Sequence, residues 1–106
     1  RCTVEQMAIL EPALSESVGA TFAKALADAT QAAADRGVPY EAAKDFMLGH
    51  LTILLAVAFG EQPGGKLSDG CLLAIEEAEP VIFKDDWMNK IFDPASVKAS
   101  VDSICK

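Results

Sequence analysis

His50 is the only histidine of the chain, set in the middle of the apolar run FMLGHLTILLAVAFG. An imidazole titrates near neutral pH, so its two ordinary roles are a hydrogen-bonded core residue and a carrier of protons. Two features favour chemistry at His50. Gly49 beside it costs a helix roughly 1 kcal/mol relative to alanine, which implies a neighbour or ligand approaching there. The run also offers the ring no local partner, so it must find one on another helix, another subunit or a substrate. His50 and Glu61 lie about 16 Å apart along one helix, too far to act together, and no HExxH spacing is present.

The second group is Glu11, Ser15 and Glu16. With α-helical spacing Glu11 and Ser15 share a face, and Glu16 points elsewhere. If the first two long helices fold back on each other, Glu61 returns to the level of Glu16. A cluster of Glu11, Glu16 and Glu61 could then hold a divalent ion, or one carboxyl could act as acid or base. Against this stands the plain alternative of solvated charges at helix ends. The third group is Ser68-Asp69-Gly70, an ordinary helix start whose N-terminus would also attract an anion such as a substrate carboxylate. There is no glycine-rich phosphate loop and no Ser/His/Asp order. The residues alone specify a helical domain that serves in an assembly.

These residues must be carried by helices. Thr3-Val4-Glu5-Gln6 reads as a capping box that opens the first one. Pro12 predicts a kink at Leu10-Glu11, or a new helix with Pro12 in its first turn. From Ala13 to Arg36 the sequence is alanine-rich and free of proline, which predicts one long helix ended by Gly37. A second helix follows from about Tyr40 to Phe59, stopped by Gly60. The short connection makes the two a long antiparallel hairpin. Ser68 opens a third helix, which Pro80 should end near Glu79. Asp85 or Asp86 caps a short helix from Trp87 to Phe92, and Asp93-Pro94 opens a last one through Val97, Val101 and Ile104. The fold class is all-α, one domain: a long helical hairpin plus three or so shorter helices.

Composition bounds the partners. The 106 residues are 51% apolar with a formal net charge of −7, and their few basic residues are scattered, so neither nucleic acid nor a membrane surface is an expected partner. The apolar run of residues 46–60 is shorter than the ~20 residues of a membrane span. Apolar all round, it should be buried on every side, in a core or between subunits, and it predicts at least a dimer. Cys2, Cys71 and Cys105 are far apart and odd in number; Cys2 and Cys105 could pair if the termini meet, but the pattern reads better as free thiols in a reducing cytoplasm. The chain opens on Arg1 and not on methionine, as a piece of a longer protein would.

Four strings in order carry a resemblance: Leu10-Glu11-Pro12-Ala13-Leu14-Ser15-Glu16, Asp45-Phe46-Met47-Leu48-Gly49-His50, Ser68-Asp69-Gly70 and Asp85-Asp86-Trp87. From about Gln6 to Asp93 the chain resembles the C-terminal domain of phosphogluconate-dehydrogenase-like oxidoreductases. The group is similar to β-hydroxyacid dehydrogenases and, more distantly, to ketol-acid reductoisomerase, and D-apionate oxidoisomerisation is among its activities. The resemblance implies an N-terminal Rossmann domain, absent from this chain, that binds NAD or NADP. It implies a helical domain that closes the active-site cleft, builds a homodimer and takes a hydroxy acid or sugar acid as substrate. Such a domain would not be active alone.

The resemblance also implies substrate-binding or catalytic side chains at the start of the first long helix, where Glu11 to Glu16 stand. Hydroxyacid dehydrogenases use a lysine in a glycine-rich segment there. This chain has neither the glycines nor the lysine, for Lys24 is too far along and Lys44 is on another helix. A carboxylate and histidine arrangement, with room for a divalent metal as in the reductoisomerases, fits better. Glu11, Glu16 and His50 are then the expected catalytic residues, and Ser15, Ser68 and Asp69 the expected substrate-binding ones. The competing reading is a stand-alone helical dimerisation or interaction module without catalytic activity.

Overall fold

The structure, a computed structural model, describes residues 2–95. These residues are helical throughout apart from their connections, with no strand among them. The elements are α1 (Val4–Ala8), a π-helix (Ile9–Ala20), α2 (Thr21–Asp35), α3 (Tyr40–Ala58), α4 (Asp69–Ile82) and α5 (Trp87–Phe92). The all-α class is therefore as the sequence predicts. The helix expected through Val97, Val101 and Ile104 lies outside the described residues. At the position expected for its cap, the Asp93 carboxylate accepts the Ala95 N–H at 3.0 Å.

The chain divides into two compact units, residues 1–26 with 84–106, and residues 27–83. In the first, α1 opens on the predicted capping box: the Thr3 hydroxyl accepts the Gln6 N–H at 3.1 Å, and the Gln6 side chain accepts the Thr3 N–H at 2.8 Å. Two orphan amides are thereby satisfied by one tetrapeptide. Helical winding then runs from α1 through the π-helix into α2 without the break expected at Pro12. Both α1 and α5 lie against the π-helix, and the Trp87 indole stands 6.0 Å from the Phe22 ring in a tilted pair. Such pairs contribute about 0.5–1.5 kcal/mol beyond area burial.

The second unit is governed by its glycines. Gly37 has φ +105°, its N–H donates to Ala34 O at 3.1 Å, and Val38 N–H donates to Ala33 O at 3.4 Å. Gly60, with φ +70°, ends α3 in the same way, through Gly60 N–H to Val57 O at 3.1 Å and Glu61 N–H to Ala56 O at 2.8 Å. This paired pattern satisfies carbonyls at a helix end and needs a residue free to take positive φ. Replacing Gly37 by alanine, for which nothing lies within 4 Å of the added Cβ, should therefore cost backbone strain alone. The expected loss is about 1–2 kcal/mol, read as a lowered midpoint in denaturant titration.

The expectation about Pro80 needs correction, and the one about the aspartate cap is met in position but not in its hydrogen bond. Pro80 does not end α4, which continues to Ile82 with Phe83 N–H donating to Glu79 O at 2.9 Å. A proline in a last turn removes only one bond, and a closing bond further on keeps the turn wound. Asp86 is the N-cap residue of α5, as expected, and stands in the left-handed region at φ 61°, but its carboxylate accepts from the Asn89 side chain and not from the helix backbone. At the start of α3, Lys44 Nζ stands 3.1 Å from Glu41 Oε2. The hydrogen bond and then the charge of Glu41 hold the Lys44 ammonium above its usual pKa. A raised folded value makes this contribution complete below the ordinary lysine range and lost only as pH climbs through the folded value.

Burial within the chain is sparse. Among the described residues only Pro12, Ala13 and Thr30 are buried, and none of them belongs to α3. The helix expected to be covered on all sides instead presents Leu48, Ile53 and Leu55 to the surroundings, with Phe46 68% and Phe59 76% exposed.

Candidate functional site

The motif Leu10 to Glu16 is wound as a π-helix, and Pro12 is the local reason. Proline has no N–H to donate and its ring collides with the carbonyl four residues back, so α-winding is penalised there. Bonding from i to i+5 displaces that carbonyl. Ser17 reinforces the segment by donating its hydroxyl to Pro12 O at 2.8 Å, and Pro12 and Ala13 are buried beneath it. The winding changes which side chains are neighbours. Residues five apart take the relation that residues four apart have in an α-helix, so Glu11 and Glu16 come to one side with Ser15 beside them. The α-spacing expectation that Glu16 points elsewhere is thus corrected. All three side chains are exposed, and π segments recur at functional sites because they shift side chains out of α register.

His50 is exposed on α3 and has the local partner that the sequence did not promise. Its Nδ1 lies 3.0 Å from Phe46 O, and its ring stacks on the Phe46 ring with centroids 4.0 Å apart and planes 22° apart. A carbonyl oxygen only accepts, so Nδ1 carries the proton in this contact, and in the neutral ring Nε2 is then the nitrogen with the lone pair. The neighbour expected near Gly49 is not supplied by the described residues, none of which lies within 4 Å of where a Cβ would stand.

Ser68 performs its ordinary role, its hydroxyl accepting the Cys71 N–H at 3.1 Å at the start of α4. Asp69 in the first turn borders an open groove of about 440 Å³ between the end of α3 and the start of α4. Val57, Ala58, Leu67 and Leu72 supply its apolar wall, with Lys66 and Asp69 as the charged groups. Sequence reading picked out Asp69 but missed Lys66 and the groove, since loop composition around Pro63-Gly64-Gly65 does not say where a loop packs. Glu11, Ser15 and Glu16 belong to the first unit and His50, Ser68 and Asp69 to the second.

Residues 1–105 match the family described as phosphogluconate dehydrogenase (decarboxylating), C-terminal domain. The chain belongs to this family. It is similar to the D-apionate oxidoisomerase of Cupriavidus necator, 48% identical over 104 residues that cover 98% of this chain and 37% of that protein. The D-apionate oxidoisomerase of Rhizobium rhizogenes is 47% identical over the same shares. The crystal structure of a semialdehyde dehydrogenase NAD-binding protein from Cupriavidus necator, in complex with calcium and NAD, superposes with a TM-score of 0.93 at 47% identity. That match covers 98% of this chain and 37% of the other. The chain therefore spans little more than a third of the relatives it matches.

A dinucleotide needs a strand, a glycine-rich turn and a helix N-terminus to hold its pyrophosphate. The described residues contain no strand, and the sequence has no GxGxxG spacing. Of the three glutamates weighed from sequence, Glu11 and Glu16 belong to the first unit and Glu61 to the second. Among the described residues no three potential ligands stand close enough to share a metal ion. None of their helices is long and apolar enough to cross a membrane.

Proposed function

We propose that this chain is the substrate-binding and dimerisation domain of a cytoplasmic NAD(P)-dependent oxidoreductase acting on a hydroxy acid or sugar acid, with D-apionate the first candidate. The observation that carries the reading is the near-complete coverage of this chain by D-apionate oxidoisomerases at 47–48% identity. The nucleotide is assigned to parts of the protein beyond these residues, and NAD or NADP supplies the redox chemistry there. This chain's residues bind and orient substrate and move its protons.

His50 is the acid/base group, taking a proton from a substrate hydroxyl on Nε2. Glu11 and Glu16, aligned by the π-helix, polarise substrate or hold a divalent ion that other groups complete. Ser15, Ser68 and Asp69 hydrogen-bond substrate oxygens, and the Ser68 hydroxyl proton remains available while its oxygen caps α4. A homodimer is supported by the apolar side chains of α3 that the chain leaves exposed. A stand-alone interaction module would share that dimer but none of the chemistry.

The test is an assay of the complete protein with D-apionate and with simple 2- and 3-hydroxy acids, each with NAD⁺ and NADP⁺. Nicotinamide reduction with D-apionate is the expected result. Reduction with simple hydroxy acids alone reassigns the substrate, and reduction with none of them overturns the oxidoreductase reading.

A further inference from the structure

We propose that Phe46 is the positioning residue for His50, its carbonyl holding the proton on Nδ1 and its ring fixing the imidazole plane so that Nε2 is the reacting atom. The inference rests on the reading of His50 as the acid/base group and adds to it which nitrogen reacts and what aims it. Histidine in water prefers the tautomer with its proton on Nε2. The 3.0 Å contact of Nδ1 with Phe46 O reverses that preference, because a carbonyl cannot donate. One contact alone would leave the ring free to pivot about its hydrogen bond. The Phe46 ring removes that freedom by lying nearly parallel at 4.0 Å, an aromatic contact that also survives when the imidazole becomes a cation.

The arrangement has the form of a base with its orienting group, in which the second nitrogen is tied so that the first faces the substrate. Here one residue supplies both constraints from one helical turn away. The geometry is therefore set inside α3 and does not depend on another element. Phe46 itself is 68% exposed, so its ring is not retained to fill a core of this chain.

The experiment uses the complete oxidoreductase with three variants, Phe46→Leu, Phe46→Tyr and His50→Gln, the last also assigning the His50 signals by their loss. In the parent protein, nitrogen-15 NMR of neutral His50 should show Nδ1 protonated and Nε2 bare. Phe46→Leu keeps the backbone carbonyl and an apolar side chain but no flat ring, so the imidazole is free to swing out of the carbonyl contact and the tautomer mixture should shift toward Nε2–H. It should lower kcat about tenfold with KM nearly unchanged, the mark of a misaimed group. Phe46→Tyr restores the ring and should restore both readouts, with the molar mass by light scattering constant throughout. A dominant Nε2–H tautomer in the parent, or an unchanged kcat in Phe46→Leu while His50→Gln is impaired, overturns the positioning role alone. An unimpaired His50→Gln removes the acid/base reading and the proposal with it.

Discussion

His50→Gln in the complete oxidoreductase is expected to lower kcat by about 10²–10⁴-fold, the usual range for loss of a positioned acid/base group. Glutamine preserves length and hydrogen-bonding capacity but cannot take up a proton at neutral pH. A hydrogen-bonding role for His50 would therefore survive the change in large part, and a proton-carrying role would not. KM should move by less than about threefold, since an interaction made chiefly in the transition state shows in kcat and kcat/KM alike. Stability is not expected to follow. His50 is exposed and hydrogen-bonded within its own helix turn, so its removal leaves neither a cavity nor an orphaned partner in this chain. Steady-state kinetics beside thermal unfolding separates the two. A large kcat loss at unchanged midpoint is the expected pair, and full turnover would exclude proton transfer by His50.

What the sequence made legible was local. Thr3 and Gln6 were readable because a capping box closes on itself within four residues. Gly37 and Gly60 were readable because a paired helix-end bond pattern requires positive φ at one position. Ser68 announced α4 for the same kind of reason. What escaped were features set by competition between local rules. Pro12 signals a break under α-helical rules, yet the chain keeps winding by lengthening its hydrogen-bond step, and this changes which side of the helix Glu16 takes relative to Glu11. Pro80 escaped similarly, since one missing bond in a last turn did not outweigh the turn beyond it.

The His50 and Phe46 pairing is a different kind of miss. Its i, i+4 spacing lies in plain sight in Phe46-Met47-Leu48-Gly49-His50, but the partner expected for the ring was a side chain elsewhere, not a carbonyl one turn back. The apolar length of α3 was legible too, but cover for it is not a property of one chain. Hydrophobic periodicity states that a face must be buried without naming what buries it. The same limit explains Gly49, whose missing side chain predicts a close neighbour that this chain's described residues do not provide.

Leu55→Asp is accordingly expected to convert a dimer into a monomer. On the α3 wheel Leu48, Thr52, Leu55 and Phe59 form one stripe, well away from the His50 stripe of Ile53, Leu54 and Val57. Thr52 gives its hydroxyl to Leu48 O at 2.9 Å, so the stripe presents an apolar face despite a threonine. Leu48 is 57% and Leu55 47% exposed, and each fully covered leucine contributes about 1.5–3 kcal/mol. In a two-fold interface every substitution occurs twice. An aspartate placed there loses that burial on both copies and must also be desolvated without a partner. A loss of about 4 kcal/mol raises the dissociation constant roughly a thousandfold, enough to dissolve a dimer at micromolar concentration. Light scattering should report a dimer for the parent protein and a monomer for the variant, while circular dichroism shows the helices of both. A variant that stays dimeric would place the interface on another face, and a parent that is monomeric at micromolar concentration would overturn the dimer itself.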